Sequence, residues 1–215
     1  MRIIGLTGSI GMGKSTASRM LRRLGIPVHD ADAVVHRLLE RGGRAVPAIA
    51  AAFPGVVRDG AVDRAALGAR VFSDTAGLRK LEGILHPEVR RAERRFLRKA
   101  RMERHGLIVL DIPLLFETKG YTRCDAVFVL TAPAFLQTQR VMKRPGMSRE
   151  KLDGIRARQT PDSLKVRGCD FVIPSGLGHR PALRALLSAL AWIGSRPIAH
   201  RRRNAHVRRQ RGTHG

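Results

Sequence analysis

The sequence predicts an α/β protein built around a mostly parallel β-sheet. Three observations carry this expectation. Short apolar runs rich in β-branched residues recur along the chain, and segments with helical apolar spacing lie between them. The first run also leads straight into a glycine-rich loop that opens a helix. Strands separated by helices need crossover connections, and crossovers join parallel neighbours.

The elements follow in order. The run RIIGLT at 2–7 reads as the first strand. The first helix starts at about Ser15, carries Ala17, Met20, Leu21 and Leu24 on one face, and is stopped by Gly25. Further strands are PVHD at 27–30, LIVLDI at 107–112, AVFVLT at 126–131 and DFVI at 170–173. In the last helix Leu183, Leu186, Leu187 and Leu190 recur at helical spacing, as a core-facing stripe rather than a cofactor box. Residues 33–106 are too many for one crossover helix and read as several. One of these is long and basic and opens after His86, with Pro87 in its first turn. Residues 133–164 read as two arginine-rich helices around a turn at RPGMS. No internal repeat interrupts this order.

A chain of 215 residues suits one domain with insertions. Its 43% hydrophobic content supplies a core, and with only 4% aromatics that core must be aliphatic. Cys124 and Cys169 have no metal-ligand spacing and read as two reduced thiols. The start is too briefly apolar for a signal peptide, and no apolar run approaches the ~18 residues of a membrane span. The expectation is a cytoplasmic protein. The net charge of +24 favours polyanionic partners: nucleic acid, acidic membranes or phosphorylated small molecules. The tail at 196–215, arginine-rich from Arg201, has no apolar periodicity and is expected to be a disordered, dispensable extension. Its alternative is a non-specific nucleic-acid contact.

The chemistry starts in GLTGSIGMGKSTAS, residues 5–18. Gly8, four residues, then Gly13-Lys14-Ser15 is the spacing that cradles nucleotide phosphates. Residues Gly11, Met12, Gly13, Lys14, Ser15 and Thr16 are the candidate nucleotide-binding set. Bare glycine backbone closes on phosphate oxygens, and the new helix points its positive end at them. Lys14 reaches the β- and γ-phosphates of ATP, and the Ser15 hydroxyl ligates Mg²⁺. Next, HDAD at 29–32 ends the second strand, where a carboxylate faces the ligand crevice of a parallel sheet. Asp30 or Asp32 can take the proton of an acceptor hydroxyl, or can merely cap the following helix. Asp111 ends the third strand as a Mg²⁺-linked aspartate or a turn residue. Arg140, Arg144, Arg149, Arg156 and Arg158 offer a cationic lid over the transferring phosphoryl group, though most of them are a solvated face.

With these pieces in place, the chain resembles the dephospho-coenzyme A kinase family from Met1 to about Ile193. IGLTGSIGMGKST is similar to the family's opening, and GIPVHDADAVVHRLL to its second-strand motif. VDRAALGARVFSD and LEGILHPEVR resemble its acceptor region, DIPLLFE a frequent signature, and RVMKRPGMSREKLDGIRARQ its lid. The resemblance implies a five-stranded parallel sheet flanked by helices, the phosphate-loop kinase fold, with acceptor-binding and lid insertions at about 33–104 and 133–164. It implies transfer of a phosphoryl group from ATP to the ribose 3′-hydroxyl of dephospho-coenzyme A. It places Asp32 as the acceptor-orienting or base residue ahead of Asp30, Lys14, Arg140 and Arg144 in catalysis, and Arg64 and His86 on the acceptor side. Pro174-Ser175-Gly176 stands where the family often has Asp-Asn, near the adenine, and Ser9 replaces a common loop glycine. Two rival readings accompany it. One is another small-molecule kinase of this fold, such as one acting on nucleoside monophosphates or shikimate. The other is a nucleotide-regulated nucleic-acid-binding protein, which the charge suggests and which predicts steeply salt-dependent binding. A switch GTPase is disfavoured by the lack of an N-K-x-D motif.

Overall fold

The computed structural model describes residues 1–71 and 74–195. The basic tail expected at 196–215 lies outside the described residues. The chain divides into two compact units, residues 1–28 with those from 105 onward, and residues 29–104.

Four strands of a five-stranded sheet lie in the first unit, and the fifth, Val28–Asp30, crosses the division after residue 28. Strand β1 (Arg2–Thr7) leads to helix α1 (Lys14–Arg23), and β2 (Val28–Asp30) follows. After the second unit come β5 (Leu107–Asp111), a 3-10 turn at Gly120–Arg123, and β6 (Ala126–Thr131). Helices α6 (Ala134–Met142), α7 (Arg149–Arg158) and α8 (Asp162–Arg167) precede β7 (Phe171–Pro174) and α9 (His179–Gly194). The strand order is β2-β5-β1-β6-β7. Central β1 pairs in parallel with β5, Ile4 opposite Val109, and with β6, Ile4 opposite Ala126. The strand succession reverses around β1, so the loop leaving β1 emerges at the topological switch point, where open α/β sheets bind ligands. The strands read as continuous apolar runs because helices cover both faces. Ile4, Leu6, Val109, Phe128 and Leu130 form one buried cluster with Leu21 of α1 and Leu186 and Ala189 of α9.

β1 leaves no room at Gly5. A Cβ there lies 2.7 Å from Leu115 Cδ2 and 2.9 Å from Cys124 Sγ. Gly5→Ala is therefore expected to destabilise by about 1–3 kcal/mol through overpacking. Thermal unfolding checks it, and an unchanged Tm refutes the packing argument.

The second unit holds α2 (Ala31–Leu39), α3 (Val46–Ala52), the hairpin strands β3 (Val57–Arg58) and β4 (Ala61–Val62), α4 (Arg64–Val71) and α5 (Thr75–Met102). Its core gathers Val34, Leu38, Ile49, Phe53, Val62, Leu67 and Leu81. Asp63 precedes α4 and accepts the N–H groups of Ala65 and Ala66, each at 3.0 Å. The Ala66 bond above all holds its carboxyl below the usual carboxylate range, against the opposing effect of burial.

Two expectations need correction. The long basic helix does not open after His86. It starts at Thr75, where Asp74 caps it by accepting the Ala76 N–H, and it runs through Pro87. Proline removes one intrahelical bond, to the carbonyl of Gly83. Gly83 and Pro87 are both exposed, so the freed carbonyl lies where solvent can reach it. The hairpin at residues 57–62 has two-residue strands, too short for a periodic signal. Helix α8 spans Asp162–Arg167.

Candidate active site

The loop between β1 and α1 is shaped by close approach and by two left-handed residues. A Cβ at Gly8 meets the Leu130 carbonyl of β6 at 2.8 Å, so the loop runs against the sheet. Gly11 and Gly13 have φ of 77° and 81°, a region costly for any residue with a Cβ. Gly13 precedes α1 and accepts the N–H groups of Thr16 and Ala17. The loop thus delivers the positive end of α1 to its own concavity. Met12 packs its side chain into the sheet core, 4% exposed, and contributes only backbone to the loop.

Lys14 is already held. Its Nζ lies 2.6 Å from Asp111 Oδ1, and Ser18 Oγ donates to Asp111 Oδ2 at 2.5 Å. Asp111 is 1% exposed, so both its oxygens are paid in short charge-assisted bonds rather than left to solvent. Asp111, left open between turn and site residue by the sequence, is thereby bonded to two residues of α1, Lys14 and Ser18. Ser18 was missed. Its signal was its place one turn beyond Lys14 on the apolar face of α1. Ser15, in the first turn of α1, is exposed and forms no hydrogen bond through its hydroxyl among the described residues.

Helices α6 and α7 tie onto the same loop. Gln137 Nε2 donates to the Ile10 carbonyl at 2.8 Å, and the Ile10 N–H donates to Gln159 Oε1 at 3.1 Å, so one loop residue is held from α6 and from the residue that closes α7. Arg140 donates to the Ser175 carbonyl at 2.8 Å and Ser175 Oγ at 3.2 Å, with the Gly11 carbonyl at 3.5 Å. Arg140 is thereby brought to the loop. Arg144 and Arg149 are exposed. Arg156 is structural: it donates to Gln137 Oε1 at 2.6 Å and Thr138 Oγ1 at 3.0 Å.

Ser175 lies in the segment that the resemblance places near adenine, but its hydroxyl is committed elsewhere. It donates to the Met12 carbonyl at 2.8 Å while accepting from Arg140. Ser175→Ala is expected to cost about 1 kcal/mol of loop order, read as roughly a fivefold rise in KM for ATP with kcat nearly unchanged. Steady-state kinetics at varied ATP checks this. An unchanged KM means the brace is dispensable.

In residues 29–104 the structure separates the two aspartates. Asp30 is the helix cap: its Oδ1 accepts the Ala33 N–H at 2.9 Å. Asp32 sits in the first turn of α2 and is exposed. His36, one turn further on the same face, lies 3.3 Å through Nδ1 from Arg64 Nη1. Arg64 is thereby brought to the α2 face that carries Asp32. His36 was not singled out from the sequence; its spacing from Asp32 was the available signal. His86 is exposed midway along α5, and no hydrogen bond or ion pair among the described residues joins it to Arg64 or Asp32.

No group of three metal-ligating side chains occurs among the described residues. No helix there is long and apolar enough to cross a membrane.

Known proteins match this architecture. The dephospho-CoA kinase family model matches residues 2–177. The dephospho-CoA kinase of Paramagnetospirillum magneticum is 64% identical over 200 residues, 93% of this chain and 94% of that protein. That of Rhodospirillum rubrum is 60% identical over 195 residues, 90% of this chain and 92% of that protein. A crystal structure of a Thermus thermophilus protein aligns with a TM-score of 0.76 at 36% identity, over 89% of this chain and 97% of that one. The dephospho-CoA kinase from Campylobacter jejuni shares the fold, with a TM-score of 0.65 at 24% identity over 90% and 98% of the two chains.

Proposed function

Because this chain belongs to the dephospho-CoA kinase family, we propose that it phosphorylates the ribose 3′-hydroxyl of dephospho-coenzyme A, with the glycine loop holding the donor and Asp32 serving the acceptor. Kinase membership makes ATP the phosphoryl donor. The observation that carries the reading is the loop itself, with Lys14 held ready by Asp111 at the mouth of the central strands. In the reaction the 3′-oxygen bonds to the γ-phosphorus and the bond to the β–γ bridging oxygen breaks. ADP leaves with that electron pair, and the hydroxyl proton passes to Asp32. Lys14 stabilises charge growing on the leaving phosphate, and Arg140 and Arg144 act on the transferring group.

The residues present suit Mg²⁺ held mainly by nucleotide. Ser15 supplies an uncommitted hydroxyl, and the Asp111 carboxylate lies at the same loop through Lys14 and Ser18. Mg²⁺ typically takes one or two protein groups and completes its shell with phosphates and water, so a dense ligand cluster is not required. When bound it neutralises charge on the β- and γ-phosphates.

On the acceptor side, Arg64 and His86 are assigned to the anionic groups of dephospho-coenzyme A. Residues 33–104 form the acceptor-binding insertion and 133–164 the lid. A cytoplasmic location goes with this reading, and two free cysteines are in keeping with it.

A coupled ADP-release assay tests the assignment. ATP with dephospho-coenzyme A is expected to turn over, and ATP with nucleoside monophosphates or shikimate is not. Preference for either of the latter acceptors overturns it.

A further inference from the structure

Lysine is almost never fully buried unless paired, yet Lys165 of α8 is 0% exposed. Its Nζ lies 3.2 Å from Glu117 Oε1 and 3.4 Å from the hydroxyl of Ser9, the second residue of the phosphate loop. The same Glu117 Oε1 accepts the Thr160 N–H at 2.6 Å, just beyond α7. Glu117 Oε2 is buried with no hydrogen-bond partner. Burial pushes the Glu117 carboxyl up, but the N–H groups of Glu117 and Thr160 and then the Lys165 ammonium outweigh it, so it stays below the usual carboxylate range. Glu117 is therefore a carboxylate at neutral pH. Helix α8 is pinned at its start, where the Thr131 hydroxyl at the end of β6 donates to Asp162 Oδ2 at 2.5 Å.

A buried ion pair is weak evidence for stability, since apolar residues of similar volume usually serve a core as well. The direction of this one points to another use. The Lys165 ammonium and the Thr160 N–H share Glu117 Oε1, and the same ammonium reaches Ser9 Oγ. An ammonium only donates, so Ser9 Oγ accepts from it and keeps its own hydrogen for a further acceptor. Beside a buried cation on a phosphate loop, the acceptor that fits is an anionic phosphate oxygen. Thr160 and Gln159 are neighbours in the chain, so the segment that closes α7 is tied both to Glu117 and to the Ile10 N–H.

We propose that Lys165, paired with Glu117, is a positioning residue for the phosphates of bound nucleotide and acts through the hydroxyl of Ser9. The proposal rests on the kinase reading above and adds a second cation to the loop behind Lys14.

The test uses the full chain in three forms: Ser9→Ala, the double variant Lys165→Met/Glu117→Gln, and all three changes together. The double variant removes both charges, so no unpaired buried ion is left. Thermal unfolding is measured beside kinetics with ATP and dephospho-coenzyme A varied separately. The double variant is expected to fold, to raise KM for ATP about tenfold, the worth of one charge-assisted bond, and to leave KM for the acceptor unchanged. Ser9→Ala is expected to raise KM for ATP severalfold, and the triple variant to be no worse than the double, because the two act as one unit. A folded double variant with wild-type KM for ATP overturns the proposal, and so do additive effects of Ser9 and Lys165. If the double variant does not fold, Ser9→Ala decides alone, and an unchanged ATP KM overturns it. Calorimetric titration with ATP keeps this test separate from the acceptor assignment, since it reads the loop even if dephospho-coenzyme A is not turned over.

Discussion

Lys14→Ala is expected to lower kcat by at least about 10²–10³-fold, the cost of removing one preorganised donor from developing transition-state charge. The loss belongs in kcat as well as in KM, because negative charge moves toward the leaving phosphate as the bond breaks. The variant also has a structural consequence. Lys14 is the cation beside Asp111, which is buried, and its removal leaves Ser18 as the remaining partner named there. Breaking a fully buried pair costs about 3–5 kcal/mol, and Lys14 keeps some solvent contact, so the penalty here is smaller. The double variant Lys14→Ala/Asp111→Asn separates the two effects. It is expected to recover Tm and not turnover. Near wild-type kcat in a folded Lys14→Ala enzyme contradicts the catalytic assignment.

Asp32→Asn is the second large effect. The substitution keeps shape and removes the proton acceptor, so kcat is expected to fall about 10²–10⁴-fold, the usual worth of a general base. KM for ATP is expected to stay put, because the loop makes those contacts. Thermal unfolding measured beside the kinetics separates a loss of turnover from a loss of fold. Asp30 provides the contrast. It caps α2 through the Ala33 N–H, and Asn caps about as well as Asp, so Asp30→Asn is expected to be nearly silent. Wild-type kcat for Asp32→Asn, or a large loss at Asp30→Asn instead, shows that the proton goes elsewhere.

Much of this site was legible in the chain. The loop spacing is contiguous, so its register is readable without a fold, and the strands it joins carry apolar runs that need no partner to be recognised. Two helices were expected on either side of RPGMS, and α6 and α7 lie there. Proline at 87 misled because its rule is local: it marks a first turn when the preceding carbonyls need the chain to start, and it sits inside a helix when the freed Gly83 carbonyl lies where solvent can reach it. The choice among lid arginines was equally beyond local reading. Arg140 and Arg144 differ by one turn, and only the position of Ser175 decides which guanidinium finds the loop.

By itself, then, the sequence determined the α/β class, the phosphate-holding loop and the aspartate pair after the second strand, because each is a pattern of neighbours whose geometry follows from short-range backbone rules. The tertiary structure alone decided that Asp111 receives Lys14 and Ser18, that Ser175 braces the loop rather than standing free, and that Lys165 is buried against Glu117 and Ser9. These partners are far apart along the chain, and no periodicity or spacing relates them. A carboxylate or an ammonium acquires its role from what replaces water around it, and that is settled only when the strands and helices carrying the partners have packed.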